Sequence, residues 1–354
     1  MRIRLDPWLT LLLGILMAVG LLVLYSAAEQ ELGAVTRQSV RLGLGLAVMV
    51  FIAQIPPRLL KVWAPWLFAA ALLMLVAVAF FGVGRGAQRW LDLGIISFQP
   101  SEAMKLALPL ALAALLNGRE LPPDWRSLAI AAVLIAAPVG LIVIQPDLGT
   151  AVLVGLSGAC ALFLAGMRWR LILGLGAALT AAAPLLWINL HEYQRDRIRT
   201  FLSPESDPLG EGWNIIQSKI AVGSGGLSGK GWLQGSQSHL EFLPEPHTDF
   251  IFSVLAEEFG FLGVAAVLVL YAAIILRGMH LAGQCRDAFG RILSGTLMFM
   301  FFIYLAVNVG MVSGALPVVG VPLPLVSYGG TSAVTLLAGF GLVMGLYSRR
   351  RFMG

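Results

Sequence analysis

The stretch Trp8–Ala28, with the sequence WLTLLLGILMAVGLLVLYSAA, decides the fold class because it runs for 21 residues without a charged side chain. A helix of about 20 apolar residues crosses the hydrocarbon core of a bilayer. Arg2 and Arg4 ahead of it give some likeness to a signal peptide. The apolar core of a signal peptide has only about 7–15 residues, so we expect a retained first membrane helix.

Nine similar segments follow, and together they predict ten membrane spans. The predicted spans cover residues 8–28, 38–55, 62–82, 102–117, 128–145, 148–166, 169–190, 250–276, 292–312 and 327–347. Helices are the expected form, because the alternating ten-residue strands of a membrane barrel do not occur in the sequence. The sequence therefore predicts an all-α polytopic integral membrane protein. We expect a single domain over residues 1–354, with one large extracytoplasmic loop over residues 191–248.

The composition supports this fold class and excludes several others. Of the 354 residues, 58% are hydrophobic and only 12% are charged, whereas soluble domains average about 25% charged residues. Disordered chains show the opposite pattern of low hydrophobicity and high charge. The net charge of +5 is not gathered into one basic stripe, so nucleic acid is not an expected partner. The two cysteines, Cys160 and Cys285, lie several spans apart and predict no disulfide framework.

The distribution of charge predicts the orientation in the membrane. An even number of spans places both termini on the same side. If that side is the cytoplasm, 14 of the 24 basic residues lie in cytoplasmic stretches and only 5 in short outer stretches, as the positive-inside rule requires. Fifteen of the 19 acidic residues then lie outside or at the outer ends of the spans. We expect cytoplasmic termini and chemistry on the outer face.

The large loop contains two segments with a readable pattern. Trp213–Val222 is amphipathic and predicts a helix. The glycine-rich loop Gly223–Gly231 includes Lys230 and superficially resembles a phosphate-binding loop. It lacks the first required glycine and a preceding strand, so we reject a nucleotide site. Pairs of glycines at Gly310/Gly314 and Gly341/Gly345 indicate close helix packing.

Asp249 is the first candidate for chemistry. It follows two prolines and Thr248, which we expect to cap the eighth span, so that Asp249 lies in the first helical turn at the outer membrane edge. One interpretation is compensation of the helix dipole; the other is a general base or a metal ligand. Glu257 and Glu258 lie deeper in the same span. Carboxylates at that depth indicate either a supporting functional role or a buried ion pair.

The ends of the fourth and sixth spans supply further candidates. Glu102 and Lys105 are three residues apart on one helix face, which predicts either a structural salt bridge or a lysine that meets an anionic ligand, with Arg89 beside it. Ser101 is the expected cap of this span. Asp147 is the expected cap of the sixth span and a possible supporting acid. The four histidines are scattered, which argues against a histidine metal cage.

Five blocks of sequence, in order, resemble the SEDS family of bacterial cell-wall proteins (shape, elongation, division, sporulation). The blocks are Arg89–Gly94, Phe98–Glu102 with Lys105, Gln145–Thr150, Phe242–Glu245 with His247–Phe252, and Pro322–Gly330. Within the family the chain is most similar to the elongation branch (RodA), on the stretches Gly310–Gly314, Leu316–Pro322 and Val254–Glu258. Pro246 departs from the pattern of many relatives, without consequence for these motifs.

The resemblance implies a peptidoglycan glycosyltransferase that polymerises lipid II during cell elongation, with Asp249 as the essential acidic residue. It implies the bacterial cytoplasmic membrane as location, and lipid II with its polyprenyl chain, a class B penicillin-binding protein and other elongation-complex membrane proteins as partners. A divalent cation, Mg or Mn, is a possible cofactor at Asp249; no nucleotide, haem or flavin is expected. The residues that we expect to contact lipid II or its pyrophosphate are Lys105, Glu102, Arg89, Trp90, Lys219 and His247.

Two other classes of function remain open at this point. A lipid II flippase would also be polytopic, but it is expected to carry ionisable residues near the middle of the bilayer and discontinuous helices. A non-catalytic membrane scaffold for a transpeptidase would be hard to distinguish, because helix faces that bind partners resemble faces that contact lipid.

Overall fold

The computed structural model describes residues 4–83, 89–92, 94, 97–118, 122–189, 192–203, 211–236 and 247–348. The motif residues Phe242–Pro246, His191 and Arg349–Arg351 lie outside these ranges. Helices dominate the described part. They are α1 (Pro7–Ala27), α2 (Leu32–Gln54), α3 (Pro57–Phe81), α4 (Pro100–Leu116), α5 (Trp125–Ile144), α6 (Leu148–Leu164), α7 (Trp169–Asn189), α8 (Glu192–Leu202), α9 (Glu211–Ser224), α10 (Ile251–Gly283), α11 (Ala288–Val312) and α12 (Thr331–Ser348).

Each of the ten segments predicted as spans overlaps one of these helices, with bounds that differ by up to several residues. Seven of them, α1, α2, α3, α5, α10, α11 and α12, are long and apolar enough to cross a membrane. α4 and α6 have 17 residues each, at the short end of the range for a spanning helix. The chain is therefore a mostly helical protein with several membrane-spanning helices.

Local capping explains several helix starts. Asp6 accepts a hydrogen bond from the amide of Leu9 at 2.9 Å, and Pro7 occupies the first helical position, which needs no amide donor. Asp147 accepts from the amide of Thr150 at 3.2 Å, so the predicted cap of the sixth span is confirmed. These caps satisfy amides that the helix itself leaves without partners.

Close packing of α12 on α2 fixes one side of the bundle. A Cβ atom at Gly341 would lie 2.5 Å from the carbonyl oxygen of Met49, and one at Gly345 would lie 2.7 Å from that of Ala53. These two glycines therefore let the backbones approach, as their spacing predicts. The prediction for the other pair was wrong: Gly314 lies beyond the end of α11 in a left-handed conformation (φ 73°), where a turn needs a glycine.

The helix α10 is broken at Gly260, whose φ of 63° is not helical. The glycine-rich loop covers the break: the amides of Lys230 and Gly231 donate to the carbonyls of Glu257 and Glu258, both at 3.0 Å. Two amides beyond the break donate back to carbonyls of the loop at 2.9 and 3.1 Å. An apolar environment requires such internal pairing of backbone groups, so this loop has a structural role next to the helix.

Three smaller elements complete the described structure. The predicted helix over Trp213–Val222 is confirmed as α9. α8 was not predicted, nor was the short hairpin of β1 (Leu91–Asp92) and β2 (Ser97–Phe98), which pair antiparallel. This hairpin brings the motif that begins at Arg89 to the start of α4.

Candidate active site

A polar cavity of about 270 Å³ lies at one end of the helices. We call it the Asp249 cavity. It gathers residues from the β1–β2 hairpin, the starts of α4, α6 and α12, the turn before α10, and α11. Its lining consists of Arg89, Trp90, Gln99, Glu102, Lys105, Asp147, Thr150, Leu153, Thr248, Asp249, Tyr304, Gly320, Val321, Pro322, Tyr328, Gly329, Gly330, Thr331 and Ser332.

Six of the ten predicted site residues therefore meet in one place. They are Asp249, Lys105, Glu102, Arg89, Trp90 and Asp147. They come from four separate sequence blocks, and only the fold brings them together.

Asp249 lies in a turn before α10 and not in its first helical turn. The helix begins at Ile251 with Phe250 as its cap, so the prediction that Thr248 caps this helix was wrong. The reason is that the main chain of the turn is held by other elements. Compensation of the helix dipole from within the first turn therefore does not explain this aspartate.

Three consecutive carbonyl groups hold the turn in place. The carbonyl of His247 accepts from the amide of Tyr328 at 2.9 Å. That of Thr248 accepts from the hydroxyl of Ser327 at 2.6 Å. The carbonyl of Asp249 accepts from the side-chain amide of Asn308 at 2.8 Å. The backbone on both sides of the carboxylate is thus fixed by the Pro322–Gly330 block and by α11.

Asn308 and Ser327 were not among the predicted site residues. Asn308 is fully buried in α11, where a polar side chain is costly unless it is hydrogen-bonded. An asparagine inside a predicted span was the available signal, since polar residues in spans are rare and have partners. Ser327 lies in the Pro322–Gly330 block, but its role as donor to the carbonyl of Thr248 depends on a contact between residues that are 79 positions apart.

Gly320 lines the cavity beside the carboxylate. Its φ is 69°, a conformation that L-residues rarely adopt. A Cβ atom at this position would lie 3.4 Å from Oδ2 of Asp249. The glycine therefore leaves space next to the carboxylate that any other residue would reduce.

Glu102 and Lys105 form a buried ion pair in the cavity wall. Nζ of Lys105 lies 2.6 Å from Oε1 of Glu102, and each side chain is 7% exposed. The ammonium also lies 4.8 Å from the ring centroid of Tyr304. Glu102 is in the first turn of α4 as predicted, but Gln99 and not Ser101 is the cap residue, because α4 already begins at Pro100.

Arg89 joins the hairpin to the start of α6. Its guanidinium lies 3.8 Å from the carboxylate of Asp147. It also donates to the carbonyls of Gln145, at 3.4 Å, and Pro146. The motif Gln145–Thr150 is thus tied to the motif that begins at Arg89.

The ionisable lysine, arginine and carboxylate groups that line the cavity carry two positive and three negative formal charges. Lys105 is matched with Glu102, and Arg89 with Asp147. Asp249 is the third carboxylate. An anionic ligand therefore needs positive charge in addition to these two cations.

The other four predicted site residues do not line the cavity. Glu257 is fully buried and forms an ion pair with Lys230 at 2.6 Å, which confirms the ion-pair interpretation. Glu258 accepts a hydrogen bond from Ser26. Lys219 is exposed on α9 beside Gly314. His247 lies next to the cavity, with its ring 5.9 Å from that of Tyr328 in an edge-to-face arrangement.

The described residues contain no group of three His, Cys, Asp or Glu side chains that could hold a metal ion. A cation shared between one or two carboxylates and substrate phosphates is the usual arrangement for Mg²⁺ at phosphate-containing substrates. Asp249 fits that arrangement, and a closed protein cage does not.

Comparisons with known proteins match nearly the whole chain. The family of FtsW/RodA/SpoVE cell cycle proteins matches residues 5–351. The peptidoglycan glycosyltransferase MrdB of Escherichia coli K12 is 53% identical over 355 residues, which cover 99% of this chain and 96% of that protein. The protein of the same name from Helicobacter pylori is 36% identical over 351 residues, covering 97% and 90%.

Solved structures agree with these sequence matches. A chain of a peptidoglycan synthase complex, solved to describe the coordination of polymerization and crosslinking, is 39% identical with a TM-score of 0.86 and 99% coverage of both chains. The rod shape determining protein RodA of Thermus thermophilus is 34% identical with a TM-score of 0.75, covering 99% of this chain and 98% of that one.

Proposed function

Because the chain belongs to the FtsW/RodA/SpoVE family of cell cycle proteins, we propose that it is a peptidoglycan glycosyltransferase that polymerises lipid II. The observation that carries the proposal is the position of Asp249. Its carboxylate lines a polar cavity at the end of a membrane helix, beside a lysine–glutamate pair and an arginine. That is where a lipid-linked sugar would present its headgroup.

The proposed reaction needs one base. A sugar hydroxyl attacks the anomeric carbon of the donor, the bond from that carbon to the pyrophosphate oxygen breaks, and polyprenyl pyrophosphate leaves. The configuration inverts in one displacement, so the second carboxylate that retaining glycosidases use as nucleophile is not required. Asp249 accepts the proton of the attacking hydroxyl as general base. The hydrogen bonds to carbonyls 247–249 keep its main chain fixed for this step.

A second role for Asp249 is as ligand of a divalent cation, Mg or Mn. Such a cation would stabilise the negative charge that develops on the leaving pyrophosphate. Asp249 would then face the phosphates together with Lys105 and Arg89, which line the same cavity. Trp90 and Glu102 complete the proposed contact surface for the substrate.

The proposed topology has ten spans, both termini in the cytoplasm and the 191–248 loop outside. Cavity residues lie at or next to the starts of α4, α6, α10 and α12, which are the fourth, sixth, eighth and tenth proposed spans. With a cytoplasmic N-terminus, every even-numbered span starts on the outer side, which supports this topology. At their other ends lie the ion pairs Arg277–Asp6 and Lys61–Asp287. We place the cavity on the outer face of the bacterial cytoplasmic membrane.

The proposed partner is a class B penicillin-binding protein, a transpeptidase with a single span. Support comes from the structural relative, which is part of a complex for polymerization and crosslinking. Other membrane proteins of the elongation complex are further proposed partners.

A lipid II flippase is the second candidate because α10 is discontinuous. Its break at Gly260 lies next to buried Glu257 and Glu258, and transporters use such breaks. In this chain the glycine-rich loop satisfies the freed backbone groups, and Lys230 pairs with Glu257. These contacts favour a fixed structure over a transport pathway.

The test uses the purified full chain in liposomes with lipid II, with and without the transpeptidase, and measures both glycan chains and headgroup translocation. We expect glycan chains from the wild type and none from Asp249→Asn. The matched control is Asp196→Asn, an exposed carboxylate on α8, which should polymerise normally. Polymerisation by Asp249→Asn would exclude the base role, and translocation without polymerisation would favour the flippase.

A further inference from the structure

Two arginines of α2 lie beside the Asp249 cavity and have no role in the reaction described so far. The guanidinium carbon of Arg41 lies 4.6 Å from the ring centroid of Tyr328. Nε of Arg37 donates to the hydroxyl of the same tyrosine at 3.3 Å. Tyr328 lines the cavity, so α2 delivers two positive charges to its rim.

These arginines differ from Lys105 and Arg89 inside the cavity in how closely they are paired with carboxylates. Lys105 and Arg89 each face a carboxylate. Across the part of the chain that the structure describes, Arg41 forms no hydrogen bond or ion pair; its guanidinium lies over the ring of Tyr328 and beside Gly330. Arg37 pairs with Glu31, but both side chains are more than half exposed, at 55% and 60%. Such exposed pairs are weak and exchange easily for a stronger ligand.

The position of Arg41 is set by its neighbours. An arginine over an aromatic ring is held by the attraction of the cation to the ring face. Gly330 has no side chain, and a Cβ atom there would lie 3.4 Å from Nε of Arg41. The amide of Tyr328 donates to the carbonyl of His247. The arginine is therefore placed relative to the turn that carries Asp249.

The chemistry of polymerisation requires a second anion site, an argument that rests on the proposed function. The first joining reaction brings two lipid II molecules together, and each carries a diphosphate at the membrane surface. The cavity lining alone has one more carboxylate than cations. It is therefore poorly suited to hold two diphosphates without positive charge from outside the lining.

We propose that Arg41, assisted by Arg37 and positioned by Tyr328, forms a second diphosphate-binding subsite at the rim of the Asp249 cavity. A guanidinium donates two parallel hydrogen bonds to phosphate oxygens, which suits this ligand better than a lysine. One diphosphate lies on the side of Arg89 and Lys105, and the other on the side of α2.

The experiment measures binding of polyprenyl pyrophosphate to the full chain in nanodiscs. The variants are Arg41→Gln and Arg41→Lys. The matched control is Arg58→Gln, which removes an exposed arginine at the start of α3, beyond the far end of α2. We expect two binding sites in the wild type, and Arg41→Gln should weaken binding at one of them about tenfold or more, since a charged hydrogen bond is lost. Arg41→Lys should show a smaller loss, and Arg58→Gln none.

Competition with inorganic pyrophosphate and with polyprenyl monophosphate identifies the recognised group. If inorganic pyrophosphate competes, and competes less in Arg41→Gln, the site recognises the free diphosphate. If only the polyprenyl forms compete, the site recognises the lipid headgroup in the membrane. Unchanged polyprenyl pyrophosphate binding in Arg41→Gln overturns the proposal. If that variant does not fold, unchanged binding in Arg41→Lys overturns it instead. A wild type that makes no glycan but binds in an Arg41-dependent way refutes the proposed function and leaves the subsite standing.

Discussion

Asn308 joins Asp249 to Val321: its side-chain nitrogen donates to the main-chain carbonyls of both residues, at 2.8 and 2.7 Å. The donor is on α11 and the two acceptors lie in separate loops. One buried amide therefore fixes the distance between the turn that carries the Asp249 carboxylate and Val321, which directly precedes the Pro322–Gly330 block.

Asn308→Leu should impair polymerisation and stability together. The change keeps the size of the side chain but leaves two carbonyls without their donor, at a cost of about 1–3 kcal/mol each. We expect a lower thermal midpoint and a loss of kcat, measured in detergent and in a lipid II assay. Asn214→Leu, a partly exposed asparagine on α9, is the control and should change neither. Full activity in Asn308→Leu would show that the turn does not need this tie.

The Glu102–Lys105 pair can be separated into its structural and its substrate-binding role. Lys105→Met alone leaves a buried carboxylate without its counter-ion, which costs about 3–5 kcal/mol. The double change Glu102→Gln with Lys105→Met removes both charges and should restore most of the stability. Thermal unfolding measures this difference.

Activity of the double variant then decides between the two interpretations of the pair. If Lys105 contacts the pyrophosphate, we expect a stable protein with a strongly raised KM for lipid II. A stable protein with normal KM and kcat would mean that the pair only holds α4 in place.

The sequence predicted the parts of this structure that depend on local composition and spacing. The apolar segments predicted the helices, and the three-residue spacing of Glu102 and Lys105 predicted their contact. Asp147 was predicted as a cap because the acceptor and its amide are three residues apart. Each of these features is decided within one or two helical turns.

The features that were missed depend on contacts between distant parts of the chain. Thr248 is of a residue type that often caps helices, but the carbonyls of residues 247–249 accept hydrogen bonds from Tyr328, Ser327 and Asn308. Glu257 lies deep enough in the predicted span to suggest a functional carboxylate, but it forms an ion pair with Lys230 of the glycine-rich loop. No local pattern shows which partner a buried polar group will find.

The Lys230–Glu257 pair should contribute to stability far more than the exposed pair Arg199–Asp196. Lys230→Met removes the ammonium that lies 2.6 Å from the fully buried carboxylate of Glu257, and we expect a loss of about 3 kcal/mol. In Arg199→Met the exposed pair with Asp196 is removed, and the thermal midpoint should hardly change. Equal effects of the two substitutions would show that the glycine-rich loop is not fixed to α10 by this pair.

The start of α11 should lose stability in acid through Asp287. Partial burial acts to raise the pKa of this carboxyl, but hydrogen bonds from Lys61, at 2.6 Å, and from the amide of Gly290 outweigh it and lower the pKa. A carboxyl with a lowered pKa stabilises the folded state above its unfolded pKa of about 4 and stops doing so as the pH falls through its folded pKa. Asp287→Asn should therefore lower the thermal midpoint at pH 7, with a difference that shrinks toward pH 3. A difference that is independent of pH would contradict this assignment.

Gly320→Ala tests whether the space beside the Asp249 carboxylate matters for catalysis. Two effects combine at this position: the strain of an alanine at a φ of 69°, about 1–2 kcal/mol, and a methyl group 3.4 Å from Oδ2 of Asp249. Gly166→Ala separates them, because Gly166 has a similar φ of 83° and no atom within 4 Å of a Cβ. Both variants should lose similar stability in thermal unfolding, but only Gly320→Ala should lose polymerisation. If the two variants retain the same activity, the carboxylate does not use the space that this glycine leaves open.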